Sequence, residues 1–326
     1  MIPEKIKIAF LNTPIYKLER ISEMLGKNIY IKRDDLTGIE FSGNKVRKLE
    51  YSVKEALNQG ATTLITCGGI QSNHARATVA VSKRLGLNAH IVLTSNGKPA
   101  LQGNYLLDNL LGAKITLIPE EDADNFNKVM EEIKEEYKQK GEKAYIIPMG
   151  ASNGIGNFGY AEAYSEILRQ EKEMDVEFDT IACAVGSGGT QSGLLLGAYL
   201  QNNYKKIVGI NVTRDAEYFK NAIIGEIKES FEYLDKEYNK QNFNYDIRDG
   251  YVGPGYAKTN EEQRDFIAEI AKMEGLLLDP VYTGKAFRGL CEEIKKDRFK
   301  DSKNILFIHT GGLYGLFPSA ELFHKE

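Results

Sequence analysis

A chain of 326 residues exceeds the length at which one small core usually suffices, so one large or two modest domains are expected. Hydrophobic residues make up 42% and charged residues 27%, ordinary globular proportions that exclude a disordered chain. A net charge of −4 gives no reason to expect nucleic acid as a partner, and no apolar run of roughly 18 residues is present to span a membrane. Cys67, Cys183 and Cys291 lie far apart, with neither a disulfide framework nor metal-ligand spacing, and the first eleven residues lack the apolar core of a signal peptide. No metal site and a cytoplasmic location are the expectation.

Taken in chain order, apolar runs that suit buried strands fall at 28–32, 62–67, 89–94, 114–119, 144–148, 180–185, 207–213 and 305–310. Helical patterns at 45–58, 74–85, 125–140, 158–171, 191–200 and 261–273 separate them. Continuous Val/Ile/Leu runs, as opposed to alternating ones, belong to strands covered on both faces. The alternation predicts an α/β protein with parallel sheets between helix layers. In such folds ligands sit beyond the carboxyl ends of the strands, so the loops found there are where chemistry is sought.

Five of those loops stand out. Ser42-Gly43-Asn44-Lys45 opens a helix with a cation in its first turn, where the dipole disfavours positive charge. Such a lysine suits an amine nucleophile or base, although alone it reads as well as a solvated lysine. Val185-Gly186-Ser187-Gly188-Gly189-Thr190-Gln191-Ser192-Gly193 joins a strand to a helix. Its glycines let backbone N–H groups approach an anion, and Ser187 and Thr190 add hydroxyl donors, a pattern suited to a phosphate monoester. It is not a Walker loop, because no Gly-Lys-Ser/Thr closes it, and not a dinucleotide fingerprint, because Gln191 occupies the third glycine's place. Cys67-Gly68-Gly69-Ile70-Gln71-Ser72-Asn73-His74 offers a capped helix start that suits a carboxylate. Asp279-Pro280-Val281-Tyr282-Thr283-Gly284-Lys285 and His309-Thr310-Gly311-Gly312 are weaker signals, as is Tyr256 in its glycine-proline loop.

Together these segments, with Thr13-Pro14 and Lys32-Arg33-Asp34-Asp35, resemble the D-cysteine desulfhydrase / 1-aminocyclopropane-1-carboxylate deaminase family of pyridoxal-phosphate enzymes, of the tryptophan-synthase-β type. The motifs stand in family order across nearly the whole chain. The resemblance implies two three-layer α/β domains, a large one from 1–50 with 158–326 and a small inserted one from 51–157. It implies pyridoxal 5′-phosphate held covalently by Lys45, with Ser187, Gly188, Gly189 and Thr190 at the phosphate and Asn73 at the ring oxygen. Ser72, Asn73 and His74 would cradle the substrate carboxylate, and Tyr256 and Tyr282 would line the substrate side. A homodimer acting on a small amino acid is likewise implied.

Within the family, deaminases carry Glu and Leu where this chain has Thr283 and Thr310, and desulfhydrases carry hydroxyl residues. A carboxylate at the pyridine nitrogen keeps it protonated and the ring a strong electron sink, which a cyclopropane without an α-hydrogen needs. A threonine hydroxyl gives a weaker sink, adequate where an α-proton is removed and thiolate departs. The reading is therefore elimination from D-cysteine to pyruvate, hydrogen sulfide and ammonia, with Lys45 or Tyr282 as the base. The alternatives are the cyclopropane substrate, β-chloroalanine or cysteate. The chain departs from the family pattern at Val46, Ala257 and Leu313-Tyr314-Gly315, and the last two bear on substrate preference.

Overall fold

The computed structural model describes residues 2–323. The chain begins with strand β1 (Ile15–Lys17), helix α1 (Glu19–Leu25), strand β2 (Asn28–Lys32) and helix α2 (Lys45–Asn58). Strands and helices then alternate as β3 (Thr63–Gly69), α3 (Asn73–Arg84), β4 (Asn88–Thr94), α4 (Gly103–Leu110), β5 (Lys114–Ile118), α5 (Phe126–Gln139) and β6 (Ala144–Ile146). The remainder runs α6 (Asn157–Met174), β7 (Thr180–Val185), α7 (Gly189–Leu200), β8 (Lys206–Asn211), α8 (Ala216–Leu234) and β9 (Asp246–Arg248). It ends with α9 (Glu261–Glu274), α10 (Thr283–Lys295), β10 (Asn304–Ile308) and the short α11 (Leu313–Leu316).

Two sheets result. The four-stranded sheet, in the order β5-β4-β3-β6, is parallel throughout and is drawn from one continuous stretch of chain. The six-stranded sheet, in the order β1-β2-β10-β7-β8-β9, takes strands from both sides of that stretch. It is parallel except where β1 pairs antiparallel with β2. The two strands without a long apolar run, β1 and β9, are three residues each and close its two edges. A short, half-exposed edge strand carries too few apolar positions to show a period.

Helix α2 begins at the expected residue and puts Val46, Leu49, Val53 and Ala56 into one core with Leu64, Ala77 and Ile147 of the smaller-sheet region. Helix α6 is wedged between α2 and α7. Gly159 sets α6 against the main chain at Arg47, and a Cβ on Gly197 would lie 2.5 Å from the Tyr164 Cβ. Only hydrogen at these positions permits so close a helix contact. The two helices that begin with Lys45 and with the glycine-rich loop therefore share one support.

A buried ion network locks that support to the larger sheet. Arg47 reaches Asp34 at 2.8 Å and Glu166 at 3.0 Å, and Lys32 meets Glu166 at 2.6 Å. Thr13 Oγ1 and the Tyr160 hydroxyl donate to Asp34 at 2.7 and 2.6 Å. Burial of charge at this depth is tolerated because each group is paired and hydrogen-bonded.

Candidate active site

The N-termini of α2, α3, α7 and α10 follow loops singled out in the sequence, although the one before α10 follows helix α9 and not a strand, and those loops converge. The backbone N–H of Asn44 donates to the Thr310 carbonyl at 3.1 Å, and its side chain donates to Thr190 Oγ1 at 2.9 Å. Lys45 is the first residue of α2 and keeps some exposure, yet its amine is crowded by protein. Its pKa lies well below the usual lysine value, chiefly because of burial and then because Lys48 is close by. An unprotonated amine at neutral pH is the state a nucleophile requires.

The glycine-rich loop forms the opposite wall. Gly188 has φ +99 and leads into α7, so the loop turns in a conformation that other residues disfavour. A third segment, Met149-Gly150-Ala151-Ser152, completes this side. Ser152 Oγ stands 2.9 Å from Ser187 Oγ and accepts from the Gly189 N–H at 3.2 Å. A Cβ on Gly150 would lie 2.5 Å from Ser187 Oγ and 3.2 Å from Lys45 Nζ, so amine and hydroxyl border one small space. Lys48, one turn after Lys45, donates to the Gly150 carbonyl at 3.1 Å and to Ser152 Oγ at 3.2 Å. Burial lowers its pKa to about 8. Under the loop, Glu226 accepts from Ser192 at 2.7 Å, and burial raises its pKa to about 7.

At α3, Ser72 caps the helix by accepting from the Ala75 N–H at 3.1 Å. His74 is buried, its Nε2 lying 2.7 Å from Thr66 Oγ1, and burial holds its pKa well below the usual histidine value. Asn73 Oδ1 accepts from Asn104 of α4 at 3.1 Å. At α10, the Tyr282 hydroxyl meets that of Tyr256 at 2.5 Å. Tyr256 in turn faces Gly69 at the carboxyl end of β3, so the tyrosine pair reaches toward the smaller sheet. Thr283 is fully buried; its hydroxyl donates to Asp279 at 2.7 Å and accepts from the Asp279 N–H at 2.9 Å.

Lys48, Ser152, Glu226 and Asn104 were not singled out from the sequence. Lys48 had a usable signal, its i,i+3 spacing from Lys45. Ser152 had another, since its Gly/Ser-rich segment follows the apolar run at 144–148. Among the described residues, no cluster of three or more His, Cys, Asp or Glu could hold a metal ion, and no helix is long and apolar enough to cross a membrane.

A buried lysine amine whose pKa is held well below the usual value, beside a glycine-rich loop suited to phosphate in an α/β fold, is the arrangement of a cofactor-dependent enzyme. Residues 6–311 match the model of the family described as pyridoxal-phosphate dependent enzymes, and the chain belongs to that family. Within it, the chain groups with the D-cysteine desulfhydrases and 1-aminocyclopropane-1-carboxylate deaminases. A Thermotoga maritima protein, provisionally named a 1-aminocyclopropane-1-carboxylate deaminase, is 44% identical over 97% of this chain and 98% of its own length. The Arabidopsis thaliana mitochondrial bifunctional D-cysteine desulfhydrase/1-aminocyclopropane-1-carboxylate deaminase is 40% identical over 96% of this chain and 79% of its own. The crystal structure of an aminocyclopropane-carboxylate deaminase homologue superposes with a TM-score of 0.91 at 41% identity, covering 98% of this chain and 95% of that one.

Pyridoxal phosphate is the cofactor, and the residues present fit it. A Cβ on Gly189 would lie 2.5 Å from Lys48 Nζ and 2.6 Å from Ser152 Oγ. Cation, hydroxyl and backbone N–H groups thus border a space that only glycine keeps open, as an anionic monoester requires.

Proposed function

We propose that the protein removes sulfide from D-cysteine, giving pyruvate, hydrogen sulfide and ammonia. The observation that carries this reading is Thr283, an uncharged hydroxyl at the start of α10, where the family resemblance implies a carboxylate in deaminases. Pyridoxal phosphate, when bound, supplies an electron sink that stabilises negative charge at the substrate α-carbon. A hydroxyl supports that sink less than a carboxylate does, and suits a substrate with an α-proton to lose and a good leaving group.

Lys45 holds the cofactor covalently in this reading. The Ser187–Thr190 backbone, Lys48 and Ser152 bind the phosphate, and Asn73 meets the ring oxygen. Thr283 and Thr310 would lie beside the ring. Ser72, Asn73 and His74 receive the substrate carboxylate; His74 does so through its backbone N–H, because its ring is committed to Thr66. Lys45 Nζ, whose pKa burial lowers, would be placed to accept the substrate α-proton. Tyr256 and Tyr282 stay protonated and donate toward the departing sulfur.

Deamination of 1-aminocyclopropane-1-carboxylate is the second reading, favoured by the buried Asp279 carboxylate beside Thr283. A panel of D-cysteine, L-cysteine and the cyclopropane acid, with sulfide and keto acid read together, tests both. Sulfide from D-cysteine alone is the expected result. Ketobutyrate from the cyclopropane acid without sulfide from D-cysteine overturns it.

We further propose that the larger domain comprises 1–50 with 158–326 and the smaller 51–157, that the chain acts as a homodimer, and that it works in the cytoplasm. The two sheets support the first point. Three free, buried cysteines fit a reducing compartment.

A further inference from the structure

Behind Asn73 lies a series of amides whose hydrogen-bond directions are fixed by main-chain groups. Asn104, the second residue of α4, is fully buried, and its Nδ2 donates to the Gln71 carbonyl at 2.9 Å and to Asn73 Oδ1 at 3.1 Å. A carbonyl oxygen only accepts, so the Asn104 atom facing Gln71 is nitrogen. The same NH₂ faces Asn73, so the Asn73 atom turned toward it is oxygen. The Asn104 backbone N–H donates to Gln71 Oε1 at 2.9 Å, and Gln71 Nε2 donates to the Gln102 carbonyl at 3.1 Å. The Asn104 and Gln71 amides are therefore each oriented by main-chain groups whose role cannot change.

We propose that Asn104 is a positioning residue that pins the Asn73 carbonyl away from the site and leaves the Asn73 NH₂ facing the cofactor ring oxygen. The proposal rests on the reading that Asn73 meets that oxygen. An amide can present either end, and the two ends differ in sign: an N–H donor stabilises an anionic oxygen, whereas a carbonyl oxygen repels it. A donor on the ring oxygen drains negative charge that would otherwise help hold a proton on Lys45 Nζ. Loss of the donor therefore raises the pH at which that proton leaves.

Asn104→Asp places an acceptor where Asn73 now finds a donor, and turns the Asn73 amide over. The test is the midpoint pH of the bound cofactor's colour change in holoenzyme, with cofactor affinity measured alongside. Asn104→Asp is expected to raise the midpoint by about one pH unit and weaken cofactor binding roughly tenfold. Asn104→Ser, which removes the pin without inverting it, is expected to shift the midpoint less in the same direction, and serves if the aspartate variant does not fold. Asn73→Ala is expected to raise the midpoint and to abolish any further shift from the Asn104 changes. A shift in Asn73→Ala with none in either Asn104 variant overturns the proposal and leaves the Asn73 reading standing. An Asn104 shift that persists in the Asn73→Ala background also overturns it, since the effect then bypasses Asn73. No shift in Asn73→Ala removes the Asn73 reading and the proposal together.

Discussion

The hydroxyls of Tyr256 and Tyr282 stand 2.5 Å apart, with their rings edge to face at 6.1 Å. Burial raises the pKa of both, and for Tyr282 the neighbouring Tyr256 adds to it. Neither ring is a phenolate at neutral pH, so the pair donates a proton and does not abstract one. Tyr282→Phe is expected to keep α-proton exchange, followed by deuterium incorporation into D-cysteine. Sulfide release is expected to fall by about 10²-fold, the usual contribution of a placed acid. Exchange lost together with sulfide would instead make tyrosine the base.

Tyr256 owes its position to Lys285, two residues beyond Thr283 on α10. The Lys285 ammonium donates to the Val252 carbonyl at 2.7 Å and the Gly255 carbonyl at 2.8 Å, which ties down the loop that ends in Tyr256. Lys285→Met removes both bonds while keeping the length of the side chain. We expect KM to rise roughly tenfold, as when one or two charge-assisted hydrogen bonds are lost, with a smaller change in kcat. Lys285→Arg is expected to restore part of the loss. Burial lowers the Lys285 pKa to about 8, so KM of the unaltered protein should climb above that pH and stay flat in Lys285→Met. Steady-state kinetics from pH 6 to 9 check both statements.

Glu226 sets a pH limit on the phosphate cradle. Its carboxyl lies beneath the loop at Gly188 and Ser192, with a pKa raised to about 7. Below that pH the group is neutral; above it, negative charge sits under a loop that must hold a dianion. Glu226→Gln is expected to bind pyridoxal phosphate several-fold more tightly at pH 8 and about equally at pH 6. Equal affinity at both values would show that Lys48 already cancels the charge.

Much of this was legible from strand-end loops, and the reasons for what was not are physical. The α2 start at Lys45 is marked by Ser-Gly-Asn followed by helix formers, and burial of its apolar face holds the helix where the pattern predicts. The 19-residue α8 has its own sequence pattern: Asp215 caps it, and Phe219, Ile223, Ile227 and Phe231 recur at helical spacing. Glu226 arrives in the site on that helix. The His74 ring packs inward on Thr66, so only its backbone N–H is left to face the substrate side in the proposed reading. Asn104 and Lys285 act through main-chain carbonyls distant in sequence, and no local pattern encodes such a partner.

The cluster around Asp34 makes the last prediction, because it joins stability to the placing of Lys45. Arg47 lies two residues after Lys45 and donates to Asp34 through both Nε and Nη2, each at 2.8 Å. Its charge, opposing the cost of burial, lowers the Asp34 pKa from 3.8 to about 2. A carboxyl whose folded pKa is depressed adds stability above its unfolded value, and that stability is lost as pH falls through the folded one. Asp34→Asn leaves Arg47 buried with less than its full complement of charge and should cost about 3–5 kcal/mol at pH 7. The gap to the unaltered protein should narrow between pH 4 and pH 2, as the native carboxylate takes up its proton. Urea unfolding at pH 7 and pH 3 measures this directly. Because α2 pivots on Arg47, the variant should also bind pyridoxal phosphate more weakly at pH 7. A stability loss with cofactor affinity unchanged would mean that α6 alone holds Lys45 in place.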